Sequence, residues 1–129
     1  MTISTAGAKV AKILVVDDEE YIVDLLSLLL EDDGHVPLRA YNGREALEMV
    51  IRDRPTLVIA DVMMPVMDGE ALVRAIKGDP NLAQTPVILM SALGNLRRRV
   101  GADDFVTKPF DLELVRRVIQ RHLNDDGGQ

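Results

Sequence analysis

The chain has 129 residues, 47% of them apolar and 28% charged, with a net charge of −6. That length suits one domain with a single substantial core, and the acidic balance leaves no broad basic surface for non-specific nucleic-acid binding. The absence of cysteine excludes disulfides, thiolate zinc sites and cysteine nucleophiles, and no stretch approaches the roughly 20 apolar residues of a membrane span.

Residues 1–12 lack a continuous hydrophobic region of the signal-peptide kind and are expected to form a flexible leader. Ile13 to Val16 is a short apolar run, as expected for a strand covered on both faces. Ile22, Leu25, Leu26, Leu29 and Leu30 then recur with the spacing of an amphipathic helix. That helix stops near Gly34, which can take the left-handed conformation of a helix end. Val36 to Ala40 is a weaker strand whose Pro37 cannot donate to a ladder, so it belongs at a sheet edge. Asn42-Gly43 opens a second helix with Ala46, Leu47, Val50 and Ile51 inward, and Leu57 to Ala60 is a third strand. Asp68 can cap a third helix carrying Leu72, Ala75 and Ile76. Val87 to Met90 is a fourth strand, and a short helix is expected between Leu93 and Val100. Phe105 to Thr107, short and less apolar, is again an edge candidate. Asp111 can cap the last helix, with Leu114, Val115, Val118, Ile119 and Leu123 inward. Residues 124–129 are expected to be a polar tail, leaving 13–123 as the domain.

Strict alternation of strand and helix implies a parallel sheet with helices on both faces. Edge signals in the second and fifth strands favour the order 2-1-3-4-5, whose switch point lies between strands 1 and 3, where ligands bind in open α/β sheets. Asp17 and Asp18 end the first of these strands and Asp61 ends the other. Like charges gathered at the edge of a low-dielectric core repel unless a cation joins them or one is protonated. Ser91 and Lys108, the latter followed by Pro109, end the fourth and fifth strands at the same edge. Hard oxygen ligands of this kind suit Mg²⁺. A carboxylate can take up a phosphoryl group as nucleophile, with the cation, ammonium and hydroxyl stabilising charge on the phosphoryl oxygens.

Four segments carry a resemblance. They are Val15-Val16-Asp17-Asp18-Glu19, Ala60-Asp61-Val62-Met63-Met64-Pro65 with Asp68-Gly69, Ser91-Ala92, and Gly101 through Phe110 with Lys108-Pro109 at its heart. In order, and each at a strand end, they resemble the response-regulator receiver domain of bacterial two-component systems, in a single-domain, chemotaxis-regulator-like form. The resemblance implies a flavodoxin-like, doubly wound, five-stranded parallel sheet of order 2-1-3-4-5. It implies a cytoplasmic phosphoprotein whose Asp61 accepts a phosphoryl group from a histidine kinase or a histidine phosphotransfer protein. Mg²⁺, with Mn²⁺ able to substitute, would be held by Asp17, Asp18, Asp61 and the backbone carbonyl of Met63. Lys108 would pair with the phosphoryl group and Ser91 would donate a hydrogen bond to it. Ser91 and Phe105 occupy the switch positions, and the Lys108–Pro109 bond is cis in most of the family. Switched binding of a downstream protein would be the output, with self-catalysed phosphotransfer but no turnover of an external substrate.

Other readings of the same residues are weaker. A nucleotide or flavin site would want a glycine- or hydroxyl-rich turn after the first strand, where this chain has Asp17-Asp18-Glu19-Glu20. A metal-dependent aspartyl-phosphate phosphatase of the haloacid dehalogenase type carries a second acid two residues after the nucleophile, where Met63 stands. A degenerate receiver would lack phosphorylation residues, and every one is present. A relay intermediate that passes the phosphoryl group on remains an alternative to a terminal regulator. His35 and His122 show no metal-ligand spacing, and Arg97-Arg98-Arg99 reads first as a solvated charge run, with a partner contact as the alternative.

Two departures from the family pattern carry expectations. From Ser91 to Lys108 there are 17 positions, fewer than the family norm by about five residues or roughly 1.4 helical turns. The fourth helix is therefore shortened, reshaping the face on which the family usually dimerises and binds partners; the three arginines are expected to contact a partner there instead. Met63 and Leu93, two after the phosphoacceptor and two after Ser91, are apolar and cannot orient a hydrolytic water, so self-dephosphorylation is expected to be slow. With only a few polar residues after Leu123, no output domain is expected to follow.

Overall fold

A computed structural model describes residues 10–92 and 101–127, with 124–127 described by backbone alone. In chain order the elements are β1 (Lys12–Val16), α1 (Glu20–Asp32), β2 (Val36–Ala40), α2 (Gly43–Asp53), β3 (Leu57–Asp61), α3 (Gly69–Lys77), β4 (Val87–Ser91), β5 (Asp104–Thr107) and α4 (Leu112–Gly127). The described helix α4 is the last helix of the sequence pattern. The shortened helix expected at 93–100, together with Leu93 and the arginine run, lies outside the described residues, as does most of the expected leader.

The strands form one parallel sheet of order β2-β1-β3-β4-β5. Alternate residues of each strand face opposite layers, so two cores form. Ile13, Val15, Leu57, Ile59, Ile88 and Met90 pack beneath α1 and α4. Leu14, Val16, Val58, Ala60, Val87 and Leu89 pack beneath α2 and α3. The three central strands are apolar on both faces because both faces are covered. Pro37, opposite Ile13, sits on edge strand β2, where its missing donor costs no ladder bond.

Element ends follow local chemistry. Asn42 accepts from the Glu45 N–H at 2.9 Å, Asp68 from Ala71 N–H at 2.8 Å and Asp111 from Glu113 N–H at 2.8 Å, each satisfying a donor the helix leaves open. Gly34, at φ 86°, closes α1: Gly34 N–H donates to Glu31 O and His35 N–H to Leu30 O, both at 2.9 Å. That double bond pattern needs a left-handed residue, which glycine adopts without strain.

β1 begins at Lys12, which pairs with Val36, and Ala11 before it is buried. The backbone of α4 runs on to Gly127, through residues expected as a polar tail. Leu25, Ile51 and Leu114, expected inward, are 36%, 52% and 39% exposed. Each lies at the flank of its helix's apolar arc. In α1 that arc turns instead to seat Val23 and Ser27.

Two outcomes follow from the packing. Gly69 opens α3 directly against the end of β3, where an added Cβ would overlap the Asp61 carbonyl oxygen and lie 2.9 Å from Val62 Cα. Both neighbours are backbone, so Gly69→Ala should cost about 1–3 kcal/mol in urea unfolding; an unchanged midpoint would show that α3 shifts freely. His35 accepts the Ala11 N–H on Nδ1 at 3.1 Å, and burial lowers its pKa below 6.5 against the raising effect of Asp33. A depressed folded pKa gives stability that is complete above the unfolded value and lost as pH falls through the folded one. The stability advantage of wild type over His35→Asn should therefore shrink between neutral pH and about pH 5.

Candidate functional site

Each site residue is carried by the C-terminal end of a strand. Asp17 follows β1 directly and is completely buried; its N–H donates to Ala40 O at 3.2 Å. Its Oδ1 accepts from Glu19 N–H at 2.9 Å, fixing the carboxylate before α1 begins. Asp18 next to it is exposed. Asp61 is the last residue of β3, opposite Met90, and is 6% exposed. Ser91 ends β4, also buried, and its carbonyl accepts from Lys108 N–H at 2.8 Å. That ladder bond sets the start of the Lys108 side chain, and the Lys108–Pro109 peptide is cis.

These ends bring the expected charges together. One carboxylate oxygen from each of Asp17, Asp18 and Asp61 lies within 4.8 Å of the others. The Lys108 ammonium reaches across them, 2.8 Å from Asp17 Oδ2 and 3.1 Å from Asp61 Oδ1. Burial, then the charge of Asp17, push the Asp61 carboxyl above the usual carboxylate range; Lys108 opposes this without overcoming it, and Asp18 adds to it. Burial disfavours the Lys108 charge, but its bonds to Asp17 and Asp61 outweigh that and raise its pKa. The site is thus an acidic pocket with an excess of negative charge, answered in part by one ammonium.

The loop after Asp61 is tied on both sides. Val62 N–H donates to Met90 O and Gly69 N–H returns to Val62 O, both at 2.9 Å. Between them Met67 N–H donates to Pro65 O at 2.7 Å around Val66, whose φ is 70°. A β-branched residue in that region is strained, and the Gly43 N–H donating to Met67 O at 2.9 Å helps hold it there. Met63, two residues after Asp61, is 68% exposed. Phe105 is partly buried in β5, against the α2–α3 layer.

Sequence reasoning passed over two features. Glu19 brings Oε1 to 3.7 Å from Lys108 Nζ, a third carboxylate about the same ammonium. Beside it a cavity of about 340 Å³ opens between α1 and the turn after β5, lined by Glu19, Ile22, Leu25, Lys108 and Phe110 among others. The only sequence signal for Glu19 was its place after the aspartate pair. The histidines instead serve structure: His35 accepts from backbone, and His122 Nε2 lies 3.0 Å from Asp104 Oδ2.

A five-stranded sheet with this acid cluster at its switch point and a lysine bridging it defines a receiver-type α/β domain. The chain belongs to the response regulator receiver domain family, whose model matches residues 13–120. It is 43% identical over 106 residues to the response regulator PleD of Caulobacter vibrioides, covering 78% of this chain and 23% of PleD. The signal receiver domain of a signal transduction histidine kinase from Syntrophus aciditrophicus is 39% identical, with a TM-score of 0.84 over 89% of this chain and 91% of that one. The receiver domain of the sensor histidine kinase PA1611 from Pseudomonas aeruginosa is 25% identical, with a TM-score of 0.82 over 90% and 99% of the two chains; its structure has a magnesium ion coordinated in the active site cleft. The chain spans about half or less of the length of the curated relatives it matches. Domains of this family act in two-component signalling, interact with histidine kinases and downstream effectors, and bind Mg²⁺ in an acidic pocket. Among the described residues no helix is long and apolar enough to cross a membrane.

The charge imbalance has a measurable consequence. Asp61→Asn removes one of the crowded carboxylates and should raise the melting temperature in chelator by roughly 3–6 °C, equivalent to about 1 kcal/mol. Added Mg²⁺ should narrow that difference by stabilising the wild type more. A variant less stable than wild type in chelator would show that Lys108 already balances the pocket.

Proposed function

We propose that this domain receives a phosphoryl group on Asp61 from a histidine kinase or histidine phosphotransfer protein and relays the change through altered protein binding. The observation that carries this reading is the convergence of three carboxylates within 4.8 Å at the sheet's switch point, with Lys108 bonded to Asp17 and Asp61. A carboxylate oxygen of Asp61 attacks the phosphorus of a phosphohistidine. The P–N bond breaks, the imidazole nitrogen leaves with the electron pair, and an aspartyl phosphate results.

The donor set is all hard oxygen, which fits Mg²⁺ or Mn²⁺. Asp17, Asp18, Asp61 and the backbone carbonyl of Met63 would hold the ion. When bound, it neutralises carboxylate charge and polarises phosphoryl oxygens. Lys108 is the residue that follows the phosphoryl group: its ammonium lies 3.1 Å from the Asp61 oxygen in this structure and is oriented from the β4–β5 ladder. Ser91, buried at the end of the neighbouring strand, would donate to a phosphoryl oxygen. Its movement would couple to Phe105, whose side chain is only partly buried against the core. The apolar side chain of Met63 is poorly suited to orient an attacking water, and Leu93 is apolar as well, which supports a long-lived aspartyl phosphate.

Incubation with acetyl phosphate and Mg²⁺, followed on a phosphate-affinity gel, should shift the wild type and leave Asp61→Asn unshifted. Chelation of the metal should abolish the shift, and the phosphorylated form should decay over minutes or longer once donor is removed. Equal labelling of Asp61→Asn would overturn the assignment of the phosphoacceptor.

A further inference from the structure

We propose that Glu19 is a positioning residue that restrains Lys108 and thereby slows phosphoryl uptake at Asp61, an inference that rests on the reading of Asp61 as phosphoacceptor. Three carboxylates surround the Lys108 ammonium: Asp17 at 2.8 Å, Asp61 at 3.1 Å and Glu19 at 3.7 Å. They are not equivalent. Asp17 and Asp61 are buried, whereas the Glu19 side chain is 54% exposed. Both Glu19 and Lys108 line the 340 Å³ cavity, so open space lies beside the lysine on the Glu19 side. The backbone of Glu19 cannot drift: its N–H is held by Asp17 Oδ1 at 2.9 Å, and its carbonyl accepts from Ile22 N–H at 3.0 Å and Val23 N–H at 3.3 Å.

When a phosphoryl group reaches Asp61, its oxygens compete with the existing partners for the ammonium. Asp17 and Asp61 belong to the set that would hold the metal, which would compensate their charge when bound. Glu19 stands outside that set, so its attraction acts against engagement of the phosphoryl oxygens. A half-exposed ion pair is worth little on its own scale, but it acts on the one ammonium the reaction uses. The effect belongs to Lys108, which separates it from the general repulsion an acidic surface exerts on an anionic donor.

The test is a double-mutant cycle. Uptake from acetyl phosphate with Mg²⁺ is timed for wild type, Glu19→Gln, Lys108→Met and the double variant. In each the Asp61 oxygen attacks phosphorus, the phosphorus–oxygen bond to the acetyl group breaks, and acetate leaves with the electron pair. Glu19→Gln should react about two- to fivefold faster than wild type, and should gain nothing in the Lys108→Met background. Equilibrium binding of beryllofluoride with Mg²⁺, read by fluorine NMR, covers the case in which Lys108→Met reacts too slowly to time. There, Glu19→Gln should tighten binding only when Lys108 is present. An unchanged rate and affinity in Glu19→Gln, or an equal gain with and without Lys108, overturns the proposal while leaving Asp61 as the acceptor. A wild type that neither labels nor binds beryllofluoride removes the phosphoacceptor reading and this inference together.

Discussion

The bond from the Lys108 ammonium to Asp17 and Asp61 is the interaction on which the rest of the site depends. Two carboxylates buried at one sheet edge would repel each other in a medium that screens poorly. One cation spanning both, at 2.8 and 3.1 Å, makes that arrangement tolerable without satisfying it. Burial first, and then the remaining charge imbalance, leave Asp61 harder to ionise than an ordinary aspartate, and a pocket in that condition favours an added cation. Crowding of charge and affinity for a divalent ion are the same physical fact.

The sheet exists, in functional terms, to hold that crowding in place. Asp17 is tied to the Ala40 carbonyl, Asp61 lies in register with Met90, and Lys108 is tied to the Ser91 carbonyl. Each functional side chain therefore starts from a backbone atom fixed by a neighbouring strand. The loop beyond Asp61 carries the strain, with Val66 at φ 70° and a tight turn from Pro65 to Met67. Gly43 and Gly69 let α2 and α3 approach that loop closely enough to hold it, since a Cβ at either position would overlap backbone.

Much of this was legible in the residue order. Continuous apolar runs at Ile13, Leu57 and Val87 mark strands covered on both faces, and Pro37 marks the edge, because a ladder cannot use a residue without an N–H. Once the strand order is settled, Asp17, Asp18 and Asp61 must meet, since the topology and not side-chain chemistry brings them together. What escaped was decided by tertiary geometry. Leu25, Ile51 and Leu114 sit at the flanks of apolar arcs, where a few degrees of helix rotation exchange burial for exposure. The left-handed backbone at Val66 runs against its own residue type and is imposed by the bonds on either side. Glu19 read as one more acid in a charge run; only the reach of Lys108 across the pocket gives it a distinct place.

The most direct measurement is chemical trapping of the acyl phosphate. Treatment of the acetyl phosphate–reacted domain with borohydride converts a phosphorylated aspartate to homoserine, which peptide mass spectrometry locates. Homoserine at position 61, formed with Mg²⁺ and absent with chelator, is the predicted result. Homoserine at another acidic position, or none in a domain that remains folded and binds Mg²⁺, would contradict the assignment of Asp61 as the reacting carboxylate.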